Sequence, residues 1–101
     1  MQRDEFKEWL LLKIKKKPAS DCVSRCKTVE NALQMDLDIE FAYDKGKRLL
    51  QKMQYSIADE RANKEPPIGF CFKDNSNIRF RMANLRSAVN KYFDFCKEHN
   101  T

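Results

Sequence analysis

Only two glycines and three prolines punctuate this chain of 101 residues. Hairpin turns draw on those residues, so their scarcity argues against a β architecture built of short strands. Gly46 and Gly69 stand far apart, which leaves no glycine-rich loop to cradle a phosphate. Histidine occurs once, at His99, and neither a Ser–His nor a Cys–His pairing has a strong candidate. We therefore read the chain as non-catalytic, with no cofactor. No run approaches the roughly 20 apolar residues that cross a bilayer, so no membrane partner is expected. The opening MQRDEFKEWLLLKIKKK spreads its charges throughout and lacks the apolar region of a signal peptide. The expectation is an intracellular, cytoplasmic protein whose four cysteines are reduced.

What the chain has in quantity is charge. Charged residues make up 35% and hydrophobic residues 42%, enough for one core beneath solvated helical faces. The length suits a single domain, here residues 1–101, read as an N-terminal module of a larger protein. Twenty Lys and Arg against fifteen Asp and Glu give a net charge of +5, which favours polyanionic partners and nucleic acid first.

Periodicity predicts helices throughout. Over residues 4–16, Phe6, Trp9, Leu10 and Ile14 recur at helical spacing, with Pro18 as the stop. A second helix spans 20–34 with Ser20 as N-cap and Cys22, Val23, Cys26, Val29 and Leu33 on one face. After a break at MDLD, where Asp36 or Asp38 can cap, a third covers 39–53. Its stripe is Ile39, Ala42, Tyr43, Leu49, Leu50 and Met53. Gly46 lies within it, at a cost of about 1 kcal/mol relative to alanine, and a close helix approach there is the favoured explanation over a bend. A short helix over 56–65 starts with Ser56 and Asp59 in a capping box. GFCF, residues 69–72, suggests a brief extended piece in an ordered loop. The last helix starts after Asn75 or Ser76 and runs to about His99. It buries Ile78, Met82, Leu85, Val89, Tyr92, Phe93 and Cys96, and leaves Phe95 off that face. The predicted fold class is all-α: a compact bundle of four to five helices with a long C-terminal helix.

Zinc has candidate ligands in Cys22 with Cys26, Cys96 with His99, and Cys71. Paired C-x-x-C knuckles are absent and three of these cysteines lie on apolar stripes, so core packing is the better account. The wet faces carry rows of cations. Arg79, Arg86, Asn90 and Lys97 fall within about 20° of one line on the last helix. Lys45, Arg48 and Lys52 form a second row, and Lys13, Lys15, Lys16 and Lys17 close the first helix. Rows of ammonium and guanidinium groups with an amide such as Asn90 or Gln51 nearby suit phosphates and a groove. We therefore take Lys45, Arg48, Lys52, Arg79, Arg86, Asn90 and Lys97 as candidate DNA contacts. The alternative is a protein-interaction or homodimerisation module using exposed Phe70, Phe72 or Phe95.

Three stretches, DEFKEWLLLK, SDCVSRCKTVENAL and NLRSAVNKYFDFCKEH, together resemble the N-terminal core-binding domain of tyrosine recombinases and phage integrases. Asn84, Ala88, Tyr92, Phe93 and Phe95 match that domain's final-helix pattern, and Ser20, Ser24 and Val29 match its second helix loosely. Related modules precede nuclease domains in some bacterial restriction-type proteins. The resemblance implies a SAM-like bundle that grips DNA with basic helix faces while another domain performs the chemistry. It gives Tyr43, Tyr55 and Tyr92 no role as nucleophiles.

Overall fold

A computed structural model describes residues 1–67, 69, 70, 72 and 77–99. It is all-helical among these residues: α1 (Arg3–Leu11), α2 (Lys16–Leu33), α3 (Leu37–Asp44), α4 (Lys47–Lys52), α5 (Ile57–Arg61) and α6 (Ile78–His99). The expected all-α bundle with a long C-terminal helix is the observed one. α3 and α4 are the two halves of the single helix expected over 39–53.

α6 is the spine. Ile78, Met82, Leu85, Ala88, Val89, Tyr92, Phe93, Phe95 and Cys96 are all buried, and α2 lies against both α6 and α1. Small side chains let the helices approach: the Cys26 and Cys22 thiols both reach the Ala88 carbonyl, at 3.3 and 3.9 Å. The three described cysteines are therefore buried thiols in the core, as expected. Phe95 is a correction. It is fully buried because α1 covers that flank of α6, where Phe6 and Trp9 lie 5.5 and 5.8 Å from its ring. Phe6 also meets Tyr92 edge-on at 4.9 Å. Burying each such aromatic contributes about 1.5–3 kcal/mol.

Pro18 does not end a helix; it sits in the first turn of α2, whose N-cap is Lys15 rather than Ser20. The first amides of a helix have no intrahelical acceptor, so proline gives up nothing there. α2 stops at Gln34, which is left-handed at φ 52°. Asp36 then caps α3 by accepting from the Asp38 amide at 2.8 Å.

Between α3 and α4 both Lys45 and Gly46 are left-handed, at φ 62° and 82°. The chain breaks there, and another helix approaches closely as well: a Cβ on Gly46 would lie 2.1 Å from the Phe93 ring. Asp44 secures the turn by accepting from the Gly46 and Arg48 amides. Ile39 and Tyr43 are a second correction. They are 67% and 68% exposed, and Leu37 and Glu40 occupy the buried positions of α3 instead. α5 carries the expected capping box of Ser56 and Asp59 but is shorter than 56–65. Of the extended piece expected over 69–72, Gly69 stands instead in a turn at φ 96° and Cys71 lies outside the described residues. Its neighbours Phe70 and Phe72 are buried and half-buried, with the Arg81 guanidinium 5.3 Å above the Phe72 ring.

A charge cluster closes the structure beside α6. The Met1 ammonium lies 3.2 Å from Asp36, 3.3 Å from Glu30 and 3.5 Å from Asp38. Tyr92 donates its hydroxyl hydrogen to Asp38 and accepts from the Gln2 amide. Burial lowers the ammonium pKa, but the Asp36 hydrogen bond and the three carboxylate charges outweigh it, leaving the pKa above 8.0. The Tyr92 hydroxyl is pushed up by burial and by Asp38.

Candidate nucleic-acid interface

The two main cationic rows lie on adjacent elements. Gly46, which caps the start of α4, packs on Phe93, and the Arg86 guanidinium donates at 2.9 Å to the carbonyl of Met53 at its other end, so both ends of α4 reach α6. The rows nevertheless turn in different directions. Arg48 turns toward α3, donating to both carboxylate oxygens of Glu40 at 3.0 and 3.2 Å and covering the Tyr43 ring at 4.3 Å. Lys52 borders a groove with Leu33 of α2 and Tyr55. Arg79 turns to α5 and donates to Glu60 at 3.1 Å.

The arginines of the candidate set are thus engaged by the fold itself. The Glu40 hydrogen bond holds the Arg48 pKa above its ordinary value. Lys45, Lys52 and Lys97 are exposed and make no ion pair among the described residues; Asn90 is exposed on the same line of α6 as Lys97. Lysine is a compact point charge on a flexible stem, suited to a phosphate rather than to bidentate reading of a base edge.

Arg86 has a structural contact that its helical phase did not reveal. Its bond to the Met53 carbonyl satisfies an acceptor at the end of α4. Arg86→Glu is therefore expected to lower stability by about 1–2 kcal/mol, read by urea denaturation. A variant as stable as the parent would show that this contact contributes nothing.

Two further cations were missed. Lys91 of α6 and Arg25 of α2 both lie close enough to the Cys22 thiol to lower its pKa, assisting its hydrogen bond with Cys26 against burial. Arg25 stands one helical turn from Cys22, a spacing visible in sequence; that Lys91 lies opposite is tertiary information.

The candidate zinc ligands point elsewhere. Cys96 lies 3.9 Å from Asp38, and the His99 ring nitrogen faces the Phe95 carbonyl at 3.0 Å. Among the described residues no three His, Cys, Asp or Glu side chains form a metal-holding group. No described helix is long and apolar enough to cross a membrane. No family model, curated protein or solved structure matches the chain.

Proposed function

We propose that this chain is a non-catalytic DNA-binding module of the core-binding kind, holding the phosphate backbone without reading base sequence. The observation that carries the reading is the division of labour among its cations. Arg48, Arg79 and Arg86 are tied to Glu40, Glu60 and the Met53 carbonyl, while Lys45, Lys52 and Lys97 stay in solvent, as does Asn90. Free lysines neutralise phosphates and release counterions, a sequence-independent term that falls steeply with salt.

Fluorescence anisotropy with a mixed-sequence duplex across a salt series tests it. Log affinity should fall linearly in log salt, and each of Lys45→Ala, Lys52→Ala and Lys97→Ala should reduce the slope by about 0.9. Scrambling the duplex sequence should leave affinity unchanged. Failure to bind at low salt would leave these lysines with solubility as their role.

A second reading, docking of a protein partner or a second copy, moves from Phe70 and Phe95, which are buried, to Ile39 and Tyr43 on α3. It requires salt-insensitive association in sedimentation that Tyr43→Ser abolishes.

A further inference from the structure

The turn between α1 and α2 ends in an apolar tip that the fold does not use. Leu11 is 45% exposed and Leu12 85%. Leu12 borders only a shallow groove with Glu5, Glu8, Trp9 and His99. Lys13, Lys15, Lys16 and Lys17 follow at once, all exposed, and none makes an ion pair among the described residues. Between Glu8 and Asp21 the chain has no acidic residue.

This placement works against the helix that contains it. Lys16 and Lys17 stand in the first turn of α2, at the positive end of its dipole, with neither an acidic residue nor a side-chain cap to offset them. Charge and exposed leucine are concentrated together where local stability favours neither. A phosphate backbone would take up the lysines but give the leucines nothing. An anionic bilayer takes up both: headgroups attract the ammonium groups, and the boundary with the acyl chains receives the apolar tip.

We propose that the α1–α2 corner docks on an anionic membrane surface, with Leu11 and Leu12 entering the interface and Lys13, Lys15, Lys16 and Lys17 against the headgroups. The docking is peripheral and needs no spanning helix, so it departs from the expectation of no membrane partner, which rested on the lack of a long apolar run. It does not depend on Lys45, Lys52 or Lys97 contacting DNA, so either reading can fail while the other stands.

The whole chain should float with vesicles of phosphatidylcholine containing phosphatidylserine and not with phosphatidylcholine alone. The single tryptophan, Trp9, has Lys13 4.9 Å above its ring and lines the groove with Leu12, so its emission should shift to the blue on binding. Leu12→Ser should weaken partitioning about tenfold. Lys15→Ala should weaken it about fivefold. Both positions are exposed, so each variant should keep its helices by circular dichroism. Absence of binding to the anionic vesicles overturns the proposal. So does unchanged partitioning of Leu12→Ser, and so does finding that these lysines bind duplex DNA while the vesicles are ignored.

Discussion

Gly46→Ala is expected to destabilise the protein by about 3 kcal/mol, a large share of what a domain of this size possesses. Two causes add. The left-handed backbone at φ 82° costs a residue with a Cβ about 1–2 kcal/mol. The new methyl would also lie 2.1, 2.4 and 2.7 Å from three carbons of the Phe93 ring, which is 3% exposed and packed against Phe41 at 5.7 Å. Overpacking of that kind costs about 1–3 kcal/mol. Phe93→Leu alone should cost about 1–1.5 kcal/mol by shrinking the core side chain. The double variant should be more stable than the sum of the two losses implies, since removing the ring opens space for the methyl. Urea midpoints for the four proteins of this cycle measure the coupling. Strict additivity would mean that Gly46 is needed for its backbone angle alone.

Acetylating the Met1 amine should cost about 2 kcal/mol at neutral pH. The reaction removes the positive charge that Glu30, Asp36 and Asp38 share and leaves three carboxylates facing one another. Asp36 and Asp38 retain 46% and 36% side-chain exposure, so solvent screens part of the loss. The ammonium pKa is raised above its unfolded value of 8.0. Its contribution is therefore complete below pH 8 and disappears as pH rises through the folded value. Tyr92 acts in the same sense but only above its unfolded value of 10.0. Between pH 8 and about pH 10 the Cys96 thiol, raised from 9.0, also loses stability, and it does so equally in both chains, so the difference between them isolates the amine. The free chain should lose more stability across that window than the acetylated chain. At the acid end the sign reverses: burial raises the Asp36 pKa, but the Asp38 amide and the Met1 ammonium outweigh it and hold the pKa below 3.8. The stability this supplies is present above 3.8 and lost as pH falls through the folded value.

Where apolar spacing and local side-chain bonds decided the outcome, the fold was legible in the sequence. The core face of α6, from Ile78 through Val89 to Cys96, follows from a period of 3.6 alone, and the Ser56–Asp59 box follows from residues three apart. Pro18 was misread because a proline that ends one helix and a proline in the first turn of the next look alike. A single-helix projection also has no account of a neighbour covering a second flank, which is why Phe95 was placed in solvent. Ile39 and Tyr43 failed for the converse reason: their spacing is helical, but the break at Lys45–Gly46 rotates α3 so that Leu37 and Glu40 face inward.

The candidate interface was less legible. Exposure of Lys45, Lys52, Asn90 and Lys97 followed from their phase. The engagement of Arg48 by Glu40 was not legible: on the single helix expected over 39–53 the two would stand about 12 Å apart along the axis, and the break at Lys45–Gly46 brings them together. Arg79 with Glu60 and Arg86 with the Met53 carbonyl join residues 19 and 33 positions apart, and only the tertiary fold brings such groups together.

The thiols grouped around the Ala88 carbonyl and beside Asp38 make the molecule its own clock. Cys22, Cys26 and Cys96 are 3%, 0% and 1% exposed. Burial, with the Asp38 charge, pushes the Cys96 pKa up to about 11, which leaves almost no thiolate at neutral pH. A bulky alkylating reagent must wait for α2 to part from α6 or for the Asp38 end to open. At saturating reagent the labelling rate of each thiol equals the rate of that opening, so mass spectrometry resolved by residue would time the separation of the two helices and the release of the Asp38 cluster independently.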